Sequence, residues 1–438
     1  MTKKQMIFHH LIVSKITGRQ VPGTCLPVFS PDHMKRLALI CVSILFSLVS
    51  FAQTDNNDTL ISGSQRDDFV NASLLIASPG NSIYSVFGHC GLRMQCPSQH
   101  LDYVFTFEME SGAAGYAKFF AGQAKAGFAA VPTAEYINTY AQEGRGITAY
   151  TLNLTPHEKQ ELWRALDTDM VQGPHRKYNL IKNQCLSMSL LLVEEILENE
   201  FIEFRRLPET MQSYKNGQGV RFLSRKSPWA AFVFLTLMGT EADTHWEDEY
   251  RMCPETMPYI LRYARIVSVD HTKSRPLLKA APQTLLPTHL VIKPSLLSPN
   301  VVFGALFVFA ILLSVAQCRG RGQRLAKAFD RTLFVLQATA GFALLYITLV
   351  TGLFGMRWNW YLIPFNPLPF LLWLCFRRKK WYPQLFRIYT LILVASVPLL
   401  YIVTCQADLA HAFIILTLAV RTFSYASGKD MKVVSAKG

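Results

Sequence analysis

The pattern of apolar and polar residues changes abruptly near Pro299. From there to the C-terminus the sequence has apolar runs at 300–317, 332–356, 361–376, 388–404 and about 408–426. Each run is near the length that an α-helix needs to cross the hydrocarbon core of a membrane. The pattern therefore predicts an all-α transmembrane domain of about five helices at residues 299–438.

The third run differs from the others because prolines crowd its start. Pro364, Pro367 and Pro369 lie within six residues of one another. Irregular backbone at membrane depth is tolerated only where protein shelters it. We therefore expect the outer end of this short span to be non-helical and covered by neighbouring helices.

Residues 53–298 carry shorter and more mixed patterns. Runs rich in β-branched and aromatic residues predict strands at 70–77, 89–94, 101–108 and 147–153, and helical periodicity predicts helices at 155–171 and 184–201. Thr155, Pro156 and Glu158 form an N-terminal capping signature for the first helix. This half of the chain is therefore expected to be an α+β domain.

The net charge of +14 suggests nucleic-acid binding until it is divided along the chain. Residues 53–297 hold 23 Lys and Arg against 26 Asp and Glu, whereas residues 298–438 hold 15 against 3. The basic charge therefore belongs to the membrane half, and we expect no nucleic-acid partner.

Basic residues mark alternate loops between the apolar runs. Fourteen Lys and Arg residues lie in the loops 318–331 and 377–387 or in the C-terminal tail counted from Arg421, whereas the other loops hold only Arg357. Cytoplasmic loops carry such an excess, so we expect residues 53–298 on the periplasmic side.

Residues 34–52 have the form of a secretory signal. A charged start at Lys35 and Arg36 precedes an apolar run that ends in small residues at Ser50 and Ala52. We expect cleavage before Gln53 and interpret residues 1–33 as a misassigned start of translation. The alternative is a signal with a long charged n-region.

Four of the nine cysteines fall in the predicted exported domain: Cys90, Cys96, Cys185 and Cys253. Cys90 and Cys96 flank a predicted hairpin and could pair in an oxidising compartment. No spacing has the form of a zinc site, and we expect no metal or cofactor. Cys185 begins a predicted helix, with Asn183 as its expected cap, and a helix N-terminus favours a thiolate. The alternative is a buried cysteine that packs as a small hydrophobe.

A thiolate nucleophile needs a base within hydrogen-bond reach. His89 is the best candidate because it lies between Gly88 and Gly91 in YSVFGHCGLRM, where the backbone can be approached closely. A hairpin closing near Pro97 is expected to bring Thr106 roughly opposite His89, with Asp102 and Glu108 nearby. Thr106 is therefore our candidate for a third catalytic residue.

At these residues the chain resembles the Lnb-type N-terminal periplasmic domain family. The resemblance covers about residues 70–265. It is carried by SLLIASPGNSIYSVFGHCGLRM, DYVFTFE, YINTYAQEGRGITAYTLNLTPHEKQELW, YNLIKNQCLS, SPWAAFVFLTLMGTEAD and EYRMCPETMPYILRYARI, in that order.

The resemblance implies a circularly permuted NlpC-like, or papain-like, thiol fold. It implies that Cys185 is the nucleophile and that His89 is its base. Two positions depart from the family pattern: Gln184 stands where the family usually has asparagine, and Thr106 stands where a larger polar residue is common. Gln184 could still donate a hydrogen bond to an oxyanion.

Members that join this domain to several C-terminal spans are similar to lipoprotein N-acyltransferases. The resemblance implies a phospholipid acyl donor, a diacylated lipoprotein acceptor and an inner-membrane location. A helix at 229–238 is then a candidate lid or lipid contact, with core packing as the alternative. The competing functions are an envelope cysteine hydrolase of the same fold and a non-enzymatic scaffold in which His89 and Cys185 are core residues.

Overall fold

A computed structural model describes residues 71–110, 112–179, 183–204, 214–245, 253–292, 295–353, 355–376 and 380–426. The predicted signal at 34–52 and the stretch before it lie outside these residues.

The N-terminal half is built on a seven-stranded antiparallel sheet. Its strand order is β10-β5-β1-β2-β3-β4-β6, and a second sheet has the order β7-β8-β9. The strands are β1 Asn71–Ala77, β2 His89–Cys96, β3 Leu101–Met109, β4 Lys125–Pro132, β5 Ile147–Thr151, β6 Arg176–Lys177, β7 Glu200–Glu203, β8 Arg265–Ser268, β9 Ser274–Pro276 and β10 Gln283–Leu286. All four predicted strands are present, as β1, β2, β3 and β5, with ends that differ from the predicted ones by at most two residues.

Helices cover both faces of the large sheet. They are α1 Gly112–Phe120, α2 Thr133–Gln142, α3 Pro156–Gln172, α4 Cys185–Glu195, α5 Asn216–Leu223, α6 Pro228–Leu237 and α7 Met257–Leu261. The main core packs α3 and α4 against one face, as Leu162, Leu186 and Leu92 show. A smaller core packs α2 against the other face through Tyr136 and Tyr140. The strand alternation of apolar residues therefore gives each face its own layer.

The start of α3 agrees with its sequence signal, whereas the predicted end of α4 does not agree with the structure. Thr155 and Glu158 form the predicted capping box at the start of α3. The helix predicted at 184–201 ends at Glu195, and the chain then enters β7. Glu198 has a φ of 29°, which a helix cannot continue through. The prediction for residues 196–201 was therefore wrong.

The C-terminal half is helical. Its helices are α8 Pro299–Cys318, α9 Gln323–Tyr346, α10 Leu368–Phe376, α11 Tyr382–Val403 and α12 Leu409–Ala426. Within the described residues, four helices are long and apolar enough to cross a membrane: α8, α9 with its π-helical extension to Thr351, α11 and α12. The predicted α+β domain followed by a helical membrane domain is confirmed.

The third apolar run forms the short helix α10 and an irregular segment before it. Within this segment the Pro364 carbonyl accepts a hydrogen bond from Gln337 Nε2 at 2.7 Å, and Phe365 is buried. Gly341 lies directly against Asn366. A Cβ added to Gly341 would be 2.7 Å from the Cα of Asn366. Apart from a single 3₁₀ turn at Trp360–Leu362, the outer end of this run is therefore non-helical and sheltered by protein, as the prolines predicted.

One basic residue assigned from the sequence to the C-terminal tail belongs to the membrane core. Arg421 lies within α12 and is completely buried. It donates to both carboxylate oxygens of Asp330, at 2.6 and 2.8 Å. The carboxylate offsets the cost of burying the guanidinium, so this arginine does not count toward the basic loops.

The sheet domain is docked on two loops of the membrane domain. Arg221 donates to the carbonyls of three consecutive residues, 405–407, at 3.1–3.2 Å. Gln406 donates back to the carbonyls of Met238 and Gly239 at 2.8 and 2.9 Å. Asn359 Nδ2 donates to the Thr236 carbonyl at 2.7 Å. The loops that hold Asn359 and Gln406 therefore lie on the domain's side of the membrane, and the basic loops lie on the remote side.

Candidate active site

Cys185 is the first residue of helix α4, and its thiol is half-buried. The cap is Gln184 rather than the predicted Asn183. Gln184 Oε1 accepts from the Leu186 N–H at 2.7 Å and lies 3.5 Å from Cys185 Sγ. Asn183 instead donates its side-chain amide to the Lys177 carbonyl at 2.9 Å. The long glutamine side chain folds back over the helix start and holds the backbone around the thiol.

The Gln184 cap does not satisfy the backbone N–H of Cys185. In the part of the chain that the structure describes, it donates to no carbonyl or side chain. The first N–H groups of a helix lack partners within the helix and carry part of its positive dipole. A negative oxygen held next to the thiol could accept this hydrogen bond, which gives the site one donor for an oxyanion.

Two other cysteines of this domain, Cys90 and Cys253, are poor nucleophiles. Burial raises the pKa of the Cys253 thiol to about 12 and raises the pKa of the Cys90 thiol well above its usual value. Cys90 and Cys96 lie near the two ends of the same strand, roughly 20 Å apart at 3.3 Å per residue. Both are free thiols, so the disulfide suggested by their spacing is not formed.

His89 is the first residue of β2, beside two glycines that permit close strand packing. Gly88 has a φ of +84°, and a Cβ there would lie 2.7 Å from the Ala77 carbonyl oxygen. A Cβ on Gly91 would lie 2.6 Å from Val104 Cγ1. The two glycines therefore bring neighbouring strands together and fix the end of β2 from which the imidazole projects.

The carboxylate that meets His89 is Glu108. Its Oε1 lies 3.5 Å from His89 Nε2. The hairpin closes with Cys96 opposite Leu101, so Thr106 pairs with Gly91 and not with His89. The sequence prediction was shifted by two residues because the strands run up to a single 3₁₀ turn at Pro97–Gln99. Thr106 lies on the same face as Glu108, two residues before it, and its hydroxyl helps to lower the pKa of Glu108.

The surroundings raise the pKa of His89 and lower the pKa of Glu108. Burial disfavours the charged imidazole, but the charges and hydrogen bonds of Cys185, Tyr140 and Glu108 outweigh it and raise the pKa of His89 well above its usual value. The neighbouring His89 imidazole lowers the pKa of Glu108. The site therefore favours a protonated imidazole beside the Glu108 carboxylate and next to the Cys185 thiol.

Tyr140 orients the imidazole from its other side. The two rings are stacked, with centroids 6.4 Å apart and planes 18° apart. The Arg145 guanidinium covers the Tyr140 ring at 4.6 Å. Arg145 is itself held by the Ser78 carbonyl at 2.7 Å and by Glu143 at 2.9 Å. The imidazole is thus packed against a tyrosine that an arginine holds in place.

Two routes of packing connect the site to the membrane domain, one through helix α6 and one through Tyr178. Phe87, two residues before His89, packs on Phe234 of α6 with ring centroids 4.9 Å apart. Phe232, on the same helix, packs on Phe303 of α8 at 5.1 Å. Tyr178, whose pKa is raised by burial and by the charges on Cys185 and Glu108, packs beside a cluster that includes Ile347 and Leu353. Helix α6 therefore lies at the junction, between the site and the first span.

Sequence reasoning named His89 and Cys185 as candidates, and the structure places them close enough to interact. It named Glu108 only as a neighbour of Thr106, and it missed Tyr140, Arg145 and Tyr178. The loop length between Cys96 and Leu101 would have given the register and hence Glu108. The tyrosines carry no comparable local signal, because they reach the site from α2 and from the loop before α4.

Comparison with family models gives two matches, in order along the chain. Residues 64–217 match the Lnb N-terminal periplasmic domain, and residues 291–429 match the Lnb transmembrane domain. The first match contains His89, Glu108 and Cys185. No curated protein and no solved structure matches the chain.

Proposed function

Because the chain belongs to the Lnb-type proteins and carries both of their domains, we propose that it is a lipoprotein N-acyltransferase. The acyl donor is a phospholipid, and the acceptor is the α-amino group of a diacylglyceryl-cysteine lipoprotein. The acyl chain passes through a thioester on Cys185. We infer that the protein lies in the inner membrane, with residues 53–298 in the periplasm as the catalytic domain and residues 299–438 as the membrane domain.

The observation that carries this proposal is the grouping of Cys185, His89 and Glu108 at one end of the sheet, in a domain fixed to its own membrane helices. A thiol at a helix start, beside an imidazole of raised pKa, has the chemistry of acyl transfer. The docking contacts hold that thiol at a constant position relative to the lipid surface. Proximity of this kind supplies much of the rate enhancement in two-substrate reactions.

The first half-reaction forms the thioester. The Cys185 thiolate attacks a phospholipid ester carbonyl, and the resulting oxyanion accepts a hydrogen bond from the Cys185 N–H, an interaction worth about 3–4 kcal/mol in comparable sites. Collapse of this intermediate breaks the ester C–O bond. The glycerol oxygen takes the proton of the His89 imidazolium and leaves as lysophospholipid.

The second half-reaction returns the enzyme to its starting state. The lipoprotein amine attacks the thioester carbonyl, and neutral His89 accepts a proton from the amine nitrogen. Collapse breaks the C–S bond and releases the amide together with the Cys185 thiolate. Glu108 stabilises the imidazolium in both steps, Thr106 lies beside Glu108 as the candidate third residue, and Gln184 holds the helix start. A second oxyanion donor on Gln184 remains a prediction.

The test is to express variants in a strain that lacks this gene and to weigh the N-terminal lipopeptides of its lipoproteins. Wild-type protein should restore the N-acyl chain, whereas Cys185→Ala and His89→Ala proteins should leave lipoproteins diacylated. Cys253→Ala is the matched control, because its thiol is buried and protonated. Restoration by a stably expressed Cys185→Ala protein would rule out the thioester.

The same experiment separates the competing functions. A hydrolase of this fold would release fatty acid or peptide without N-acylating the lipoproteins. A scaffold would tolerate Cys185→Ala as well as it tolerates Cys253→Ala. Equal loss of N-acylation in both cysteine variants would indicate a folding defect and would remove the support for Cys185 as a nucleophile.

A further inference from the structure

The membrane domain contains a cavity of about 700 Å³ that shares no residue with the catalytic site. It lies between helices α8, α11 and α12. Its lining includes Ile311 and Gln317 of α8, Val394 of α11 and Leu416 of α12. Its volume falls in the usual range for small-molecule sites, roughly 300–1,000 Å³.

The cavity occupies the leaflet remote from the sheet domain. Phe307 lies eleven residues from the remote end of α8 at Cys318, which corresponds to a depth of about 16 Å. This is about half of a hydrocarbon core roughly 30 Å thick. Val394 of α11 and Leu416 of α12 lie at a similar depth from the remote ends of their helices. The cavity therefore extends from the remote membrane surface to the bilayer midplane.

Polarity within the cavity changes along this depth. The deep wall is apolar, with Phe307, Val394 and Leu416. The end at the membrane surface carries amides and one cation, with Gln317, Arg319 and Gln323. A phospholipid has the same order of groups, with a hydrocarbon chain inside and a phosphate at the surface.

The polar wall is rigid because a buried ion pair holds it. Arg421 donates to Ser314 Oγ at 2.7 Å and to Gln317 Oε1 at 3.0 Å, in addition to its bonds with Asp330. Asp330 neutralises Arg421, so that pair offers no net charge to a ligand. Arg319 is exposed and is the charged residue among those that line the cavity, which favours an anionic occupant.

We propose that this cavity binds one anionic phospholipid from the leaflet remote from the sheet domain. The phosphate pairs with Arg319, and one acyl chain lies between α8 and α11 on the surface of α12. Basic pockets between spans on the cytoplasmic side are suited to such headgroups. Helices α8 and α11 both pack on α12. A lipid in contact with all three helices therefore stabilises the helix bundle.

The test uses the full-length protein in detergent and native mass spectrometry during titration with phosphatidylglycerol or phosphatidylethanolamine. Wild-type protein should retain one phosphatidylglycerol in preference to phosphatidylethanolamine. Arg319→Gln should weaken phosphatidylglycerol retention about fivefold, the effect expected for one charge at a membrane surface. Arg324→Gln is the matched control, because Arg324 is exposed near Arg319 but does not line the cavity.

A second variant tests the acyl-chain part of the cavity. Val394→Trp should fill the deep wall and abolish retention of the specific lipid, while Cys185 alkylation and helical circular dichroism stay at wild-type levels. If Val394→Trp does not fold, Ile311→Trp fills the same space from α8. Equal retention of both lipids by wild-type protein, or equal losses in the Arg319 and Arg324 variants, would overturn the proposal. Unchanged retention in a folded cavity-filling variant would do the same.

Discussion

At the scale of single residues, the site depends on a division of charge among three side chains. His89 lies between the Cys185 thiol and the Glu108 carboxylate, and Tyr140 covers its ring. The Glu108 side chain is 54% exposed, whereas that of His89 is 20% exposed. Glu108 can therefore stay ionised in contact with water while it stabilises a cation in the more buried position.

This arrangement predicts the pH dependence of the Glu108→Gln variant. Glu108 raises the pKa of His89, so its removal lets the imidazolium lose its proton at a lower pH. The basic limb of kcat/KM should move down by about one pH unit, the low end for a neighbouring opposite charge. Loss of the Glu108 charge in wild-type protein should occur only below the usual glutamate pKa of 4.5, because the pKa of Glu108 is lowered.

The measurement is a pH profile of phospholipid turnover by both proteins, with Glu110→Gln as the control on the same strand end. Glu110 pairs with Lys118 and has no contact with His89. A basic limb that does not move in Glu108→Gln would remove Glu108 from the catalytic group. The same shift in Glu110→Gln would point to a general surface-charge effect.

The residue scale also shows how far the sequence could go. His89 and Cys185 stand in motifs with glycine neighbours and a helix start, so local patterns reveal them. Glu108 depends on hairpin register, which changes by two residues when a strand is slightly longer than its pattern suggests. Tyr140 and Tyr178 approach from separate elements, and no local spacing encodes that approach.

At the scale of elements, the membrane helices are held by a buried ion pair as well as by apolar packing. Arg421 makes four hydrogen bonds, to Asp330, Ser314 and Gln317, from a completely buried position. The helices α8, α9 and α12 meet at this point. The sequence pattern placed Arg421 in the C-terminal tail rather than in the last span. Hydropathy cannot show that an aspartate on another helix neutralises this arginine.

Replacing only Arg421 should destabilise the protein far more than replacing both Arg421 and Asp330. Arg421→Met leaves Asp330 charged and buried, and should destabilise the folded protein by about 3–5 kcal/mol. The double variant Asp330→Leu with Arg421→Met should recover most of that loss. Unfolding of the purified proteins in mixed micelles measures both effects. A double variant as unstable as Arg421→Met would contradict the ion-pair account.

At the scale of the whole molecule, the sheet domain and the membrane domain act as one body. Arg221 and Gln406 exchange backbone-directed hydrogen bonds across the junction. Helix α6 contacts both the strand end before His89 and the first span. The sequence predicted both domains and the sidedness of the loops, but not this docking. The docking hydrogen bonds end on backbone carbonyls, so the side chains of the accepting residues give no sequence signal for the docking.

Loosening the junction should affect membrane-bound substrates more than soluble reagents. Arg221→Met leaves three carbonyls of the 405–407 loop without their donor, at a cost of about 1–3 kcal/mol. Phospholipid turnover should fall at least fivefold, while the rate of Cys185 alkylation by iodoacetamide stays within twofold, both being order-of-magnitude estimates from that cost. Arg262→Met, at an exposed position away from the junction, is the control. Equal falls in turnover and alkylation would mean that the site itself had been distorted.

The central claim is that an acyl chain resides on Cys185 between the two substrates. The direct measurement is intact-protein and peptide mass spectrometry after incubation of purified protein with phospholipid and without lipoprotein. One acyl group is expected on the peptide that contains Cys185, released by neutral hydroxylamine and lost when a diacylated lipopeptide is added, with one lysophospholipid formed per acyl group. A protein that transfers acyl chains at the normal rate without Cys185, or that carries the acyl group at another residue, would contradict it.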